Sequence, residues 1–348
     1  MRISIGYSGA TPIPQTLPAV DLAEAIGLNA VSSAEHVGMN DAIVPSAVYA
    51  ARTQQIEITA MGLNPDTRSP GVLAMELAGL NAIAPGRIRT HIGMGSPQRA
   101  RQLGVTKPRT VRGVQTFIET LRALLRGETT TAHSEAFSLD AMRITTIDTT
   151  LPPIPIDVMA IRPRMTMLAA RLGDGLSLSV GASHEYIRSQ IALVQRVLDE
   201  NGRDREAFRV SASVICSIDT DIAAARAGLA QSAVSFPLST MPELHTGLEL
   251  PSPQALAEAK ALGGVERAAA LFRPETVDGL GLVATPETLN VALDRYREDG
   301  LDEIIVLLAG PPNKHPALIR ALAAASEAST AGHPPISVAR VPRVGARG

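Results

Sequence analysis

The sequence predicts a closed (β/α)₈ barrel, a TIM-barrel fold, and three observations carry that prediction. Short runs rich in β-formers alternate with longer stretches whose apolar residues recur with helical period. Such alternation demands parallel strands joined by helical crossovers. It repeats eight times between residues 1 and 328 of a 348-residue chain, which favours a sheet closed on itself over an open doubly wound one.

Taken in order, "RISIGY" precedes a helix around "AVDLAEAIG", "NAVSS" precedes "PSAVYAART", and "IEITAMG" precedes "GVLAMELAGLNAIA". The fourth strand is "RIRTHIGMG". A helix from about Thr110 to Arg126 follows, with Val111, Val114, Ile118, Leu121 and Leu125 on one stripe and Gly127 ending it as a C′ glycine. The Thr-rich stretch "ETTTAHSEAFSLDAMRITTIDTTLPP" lacks helical period and predicts an excursion containing a hairpin. "IPIDVMA" with "RPRMTMLAARLG" and "GLSLSV" with "HEYIRSQIALVQRVLDENG" restore the alternation. "FRVSASVICSI" and "DEIIVLLAG", the latter followed by "HPALIRALAAASEA", complete it. The barrel therefore carries insertions after its fourth and seventh strands, the second (residues 219–282) mostly helical. Residues 1–328 read as one domain, and residues 329–348, rich in Pro, Gly and Arg, as a loosely held tail.

Composition excludes several functions. A net charge of −2 with scattered Lys and Arg leaves no electrostatic footprint for nucleic acid. The single cysteine, Cys216, rules out an internal disulfide and a thiolate zinc site, and suits a reducing cytoplasm. The first residues lack an apolar signal core and no run is long enough to span a membrane, so neither secretion nor a membrane partner is expected. The seven histidines are widely separated, and no metal-spaced set, carboxylate pair or Ser/His/Asp order emerges. The reacting group is expected on a bound organic cofactor.

In barrels of this kind the site lies at the C-terminal ends of the strands, so Tyr7, Ser33 to His36, Met61 to Pro65, Gly93 to Pro97 and Ala160 to Arg164 should converge. His36 follows the second strand directly, where an imidazole can exchange a proton near neutrality; a strand-end His bonded to backbone is the competing reading. Glu35 either orients that ring or faces solvent. Gly93 and Gly95 let a backbone approach a planar ligand or simply turn the strand into its loop. They do not complete a G-x-G-x-x-G, because Gln98 stands at the third glycine. Pro163 opens a helix whose free amides, flanked by Arg162 and Arg164, suit a phosphate.

In this order and spacing, "AEAIGLNAVSSAEHV", "LNPDTRSPGVLAMELAGLNAIAPGRI", "IGMGS", "RPRMTMLAARLGDGLSLSVG" and "GLVATPETLNVALDRYREDGLDEIIV" resemble the luciferase-like, flavin- and deazaflavin-dependent (β/α)₈ oxidoreductases over nearly the whole chain. "NPDTRSP" is most similar to the methylenetetrahydromethanopterin reductase branch, whose hydride carrier is coenzyme F420. The resemblance implies a non-prolyl cis peptide at Met61–Gly62, forming a bulge behind the deazaflavin ring and braced by "LNPDTRSP". It implies cofactor contacts at Met61, Gly62, Asn64, Gly93, Gly95, Ala160 and Ile161, with the phosphate at Arg162 and Arg164. Three positions depart from the family: Arg162 replaces its usual glycine, Gly6 stands where the branch has a carboxylate, and Ser96 or Pro97 where it often has an acid. His36, which fits the family's [DE]-H, and Tyr7 remain as catalytic residues. The expectation is a cytoplasmic homodimer that moves hydride between F420 and a C=N, C=C or C=O substrate. Its alternatives are a monooxygenase using FMN and a cofactor-binding protein without catalysis.

Overall fold

In the computed structural model, which describes residues 1–105, 109–234, 241–310 and 314–330, the predicted alternation is present throughout. The strands are β1 (Arg2–Ser8), β2 (Ala30–Ala34), β3 (Glu57–Leu63), β4 (Ile88–Ile92), β5 (Thr130–His133), β6 (Ser138–Met142), β7 (Ile156–Ala160), β8 (Gly175–Leu178), β9 (Arg209–Ile218), β10 (Gly281–Ala284) and β11 (Glu303–Leu308). The helices are α1 (Ile13–Ala25), α2 (Ile43–Arg52), α3 (Pro70–Ile83), α4 (Pro97–Gln102), α5 (Val111–Leu125), α6 (Pro163–Leu172), α7 (His184–Glu200), α8 (Ile222–Ala233), α9 (Pro253–Ala269), α10 (Pro274–Leu280), α11 (Leu289–Glu298) and α12 (His315–Thr330).

Eight strands run β1-β2-β3-β4-β7-β8-β9-β11, all parallel, and β11 returns to β1 to close the ring. The antiparallel hairpin β5–β6 follows the fourth barrel strand. Among the described residues, the segment after β9 is mostly helical up to Leu280, but it ends as a strand: β10 pairs parallel with the upper end of β9, Gly281 opposite Ile215. Four residues, "GLVA", are too short for a period to declare itself, and β9 outlasts the barrel and offers a free edge. Residues 331–348, most of the expected tail, lie outside the described residues. Among the described residues, no helix is long and apolar enough to cross a membrane.

Local signals set the helix ends. The Thr110 hydroxyl accepts the Gly113 amide at 2.9 Å to cap α5, and Gly127 leaves the helix at φ +76°. The Ser69 hydroxyl accepts from Val72, with Pro70 at the first helical position of α3.

Strand alternation sorts the side chains into two shells. Ile3, Ile5, Ile58, Val158, Val210 and Val306 face the helices and are at most 1% exposed. The lumen is polar. Glu57 on β3 and Arg209 on β9 are 2.6 Å apart, a contact that non-adjacent strands reach only through the barrel. Arg209 also lies 3.1 Å from Glu303, whose carboxylate accepts the Ser4 hydroxyl. Arg89 lies 2.5 Å from Asp157 and 3.5 Å from Glu57, and His91 Nε2 is 3.1 Å from Asp157 Oδ2. Burial pushes the Asp157 carboxyl up, yet Arg89, His91 and Arg209 together hold it below the usual range. All of these groups but His91 occupy strand beginnings, so they plug the lower end and leave the upper end open.

Candidate active site

The loop "LNPDTRSP" is built from three ties. Asn64 Oδ1 accepts the Asp66 amide at 3.0 Å and Nδ2 donates to Gly62 O at 3.2 Å, an Asx turn that closes the loop on itself. Asp66 receives the Arg109 guanidinium, fixing the loop to the approach of α5. Arg68 bridges Glu35, at the end of β2, and Glu76 of α3, the latter at 2.9 Å. Glu35 is thus neither a partner of the His36 ring nor solvent-facing; its side chain is 4% exposed.

Behind this loop the β3–β4 register shifts between Ala60 and Leu63, so the expected bulge exists. The expected cis peptide does not: no cis bond occurs among the described residues, Met61–Gly62 included. Gly62 at φ +80° makes the bulge with trans peptides, a conformation that only glycine adopts cheaply. A methyl group there would stand 3.0 Å from the Glu35 carbonyl oxygen. Gly95, at φ +79°, is required by the same loop, since a Cβ would lie 3.0 Å from both Asn64 Oδ1 and Asp66 Oδ2. At Gly93 the neighbour is Met159, 3.3 Å away. Both glycines therefore serve close packing of the chain on itself at the mouth.

His36 is exposed at the mouth. The Gly9 amide donates to its Nδ1 at 3.2 Å, and Nδ1 is equally 3.2 Å from the Ala34 carbonyl. An unprotonated Nδ1 accepts from Gly9 and a protonated one donates to Ala34, so the ring keeps a partner in either state. Asn40 Nδ2 donates to Gly9 O at 2.9 Å, which pins the loop carrying His36 to the end of β1.

Tyr7 does not join it. Alternation puts Tyr7 with Ile3 and Ile5 on the helix-facing side of β1; it is 7% exposed and its hydroxyl has no hydrogen-bond partner among the described residues. Burial, aided by Tyr49, pushes its phenol far up, the opposite of what an acid at neutral pH requires. The aromatic ring belongs to the core, and strand parity, readable in "RISIGY", is the signal that separates it from the mouth. On the lumen side of the same strand, a side chain at Gly6 would meet Ile305 Cγ2 at 2.8 Å and Leu307 Cδ2 at 3.0 Å. Aliphatic residues of β11 fill the space that the branch's carboxylate would need.

At the end of β7, Ala160 is buried in the core and can offer only its backbone. Tyr186 of α7 donates to the Ile161 carbonyl at 2.6 Å and so orients the turn into α6. Pro163 is at the first position of α6 as expected. The two arginines differ: Arg162 Nε donates to Glu243 at 2.8 Å, whereas exposed Arg164 has no ion-pair partner among the described residues. Glu243 sits in a 3₁₀ turn, Pro242–His245, that closes over this corner, and the Ser183 hydroxyl donates to Thr246 O at 2.7 Å. Sequence reasoning missed Glu243 because it lies 81 residues from Arg162, inside the insertion, and nothing local to either residue signals that they meet.

The family model for luciferase-like monooxygenases matches residues 2–303. The chain belongs to this family. It is thereby an oxidoreductase of the luciferase-like type, as the motifs implied. Its similarity to 5,10-methylenetetrahydromethanopterin reductase of Methanolobus tindarius is 24% identity over 91% of this chain and 97% of that one. An F420-dependent glucose-6-phosphate dehydrogenase of Kineococcus radiotolerans is 30% identical over 58% of this chain and 64% of its own. Among solved structures, the coenzyme F420 dependent tetrahydromethanopterin reductase from Methanopyrus kandleri superposes with a TM-score of 0.79 at 18% identity, covering 92% of this chain and 97% of that one, which shows the shared fold.

Proposed function

We propose that this luciferase-like oxidoreductase uses coenzyme F420 to move hydride to or from a small unsaturated substrate of the C=N, C=C or C=O class. The observation that carries the reading is the braced bulge at Met61–Gly62, beside an exposed His36. It agrees with the F420-dependent names of the Kineococcus relative and the Methanopyrus structure. The residues present suit such a cofactor. The bulge and Asn64 would back its ring, the Ile161 turn would take its chain, and the exposed Arg164 at the start of α6 would face its phosphate. Bound there, the deazaflavin would supply hydride chemistry. The protein's own contribution is to hold the two partners face to face, exclude water and manage a proton at His36. With Tyr7 turned into the core and Gly6 hemmed in, His36 alone of the two expected catalytic residues serves that proton.

We place the enzyme in the cytoplasm, as one domain over residues 1–328, and as a homodimer. An apolar face on the packed helices α2 and α3, with Val44 54%, Met75 58% and Ile83 51% exposed, supports the dimer. Titration calorimetry with F420 and FMN, each oxidised and reduced, tests the assignment. Micromolar binding of F420 alone sustains it, and preference for reduced FMN moves it to an oxygen-using monooxygenase. In the F420 enzyme, His36→Ala lowers turnover by about 10²-fold or more while cofactor affinity stays within a few fold; equal turnover would assign the proton to another acid, and a wild type that binds cofactor but turns over nothing would be a binding protein.

A further inference from the structure

Glu35 joins the bulge from two directions. Its N–H donates to Met61 O at 2.8 Å, and its buried carboxylate is gripped by Arg68, whose other arm reaches Glu76 on α3. The next residue is His36, and Gly62 lies against the Glu35 backbone on the other side. We propose that Arg68 is a positioning residue: by clamping Glu35 it holds the β3 bulge and the backbone of His36 in one fixed relation. The proposal rests on the cofactor reading above, because the bulge matters to catalysis only if it backs the cofactor ring.

The charges around Glu35 make the clamp testable. Burial pushes its carboxyl up, the Thr67 hydroxyl and the Arg68 guanidinium oppose this, and Asp41 and Glu76 add to burial. Without Arg68 the carboxylate faces only like charges, from Asp41 ahead of α2 and Glu76 on α3. Ionised, it drives the end of β2 from the bulge; protonated, it is tolerated. Arg68→Met therefore binds cofactor in mildly acidic solution and loses it as the pH rises. Glu35→Gln in the same protein removes the dependence, and Arg68→Lys restores most of the affinity.

F420 is titrated by calorimetry into wild type, Arg68→Lys, Arg68→Met and Glu35→Gln/Arg68→Met between about pH 5.5 and about pH 8.5. Hydrogen exchange at the Glu35 amide and thermal melts are recorded on the same samples without cofactor. The expected result is an affinity loss of about tenfold or more across that range in Arg68→Met only, with faster exchange at the Glu35 amide. An Arg68→Met protein that binds like wild type, or a loss independent of pH and shared by the double variant, overturns the clamp. If wild type binds no F420 the cofactor reading fails, and the exchange data still decide: an unchanged Glu35 amide in Arg68→Met overturns the positioning role.

Discussion

The two ends of the barrel use the same residue types to opposite purposes. At the lower end, Glu57, Asp157 and Glu303 meet Arg89, Arg209 and Arg2 across the lumen, so charge is spent on charge and the interior is closed. At the upper end, Arg68 and Arg109 bind carboxylates that belong to loops, and the main chain is what they hold. There His36 and Arg164 are left exposed. A barrel that keeps its lumenal ionic network below and its exposed polar groups above follows the division expected of this fold.

The largest expected effect lies below. Arg89→Met leaves Asp157, which is 0% exposed, with only His91 in contact, and should cost about 3–5 kcal/mol in urea unfolding, because a buried charge that loses its guanidinium keeps its desolvation cost. The pH dependence has a definite sign. Asp157 and Glu57 titrate below their ordinary values in the folded chain, each because its arginines outweigh burial. Their stabilisation is therefore complete above the unfolded value of about 4 and lost as pH falls through the folded one. Arg89→Met should move that acid unfolding to higher pH. A cost no larger than that of an ordinary surface substitution would dissolve the contrast between the two ends.

Next comes the mouth. Gly62→Ala should cost about 1–2 kcal/mol for the left-handed conformation and reduce cofactor affinity by about tenfold, since the methyl displaces the Glu35 backbone. Gly27→Ala sharpens the point. It carries a similar φ of +74° with nothing within 4 Å, so it should cost comparable stability and leave affinity untouched. Equal binding in both variants would separate the bulge from the cofactor. The smallest effect is expected at Tyr7. Removing a buried hydroxyl that has no partner among the described residues, Tyr7→Phe should leave turnover within about twofold and stability equal or up to about 1 kcal/mol higher. A large loss of turnover would return Tyr7 to the mouth.

Much of this was legible in the chain. Period and punctuation placed all eight barrel strands, the Thr110 helix start and the hairpin, because those features follow from neighbours in sequence. "LNPDTRSP" could be read as a brace, but not to what. Asp66 pairs 43 residues away and Arg68 with Glu35, 33 residues back. The cis peptide was carried over by likeness, and a glycine in the left-handed region met the same need.

By itself the sequence determined the barrel and its insertions, since alternation, caps and turns are local properties that propagate along a chain. Only the tertiary structure decided which side chains share a space. Four barrel strands open on a charged residue, Arg2, Glu57, Arg209 and Glu303, and nothing local says that these charges meet. Closure of the sheet brings them together. The same closure turns Tyr7 outward, fills the space at Gly6 from β11, and draws Arg68 onto Glu35. Burial and pairing arise between strands distant in sequence, and it is they that set which groups can exchange a proton.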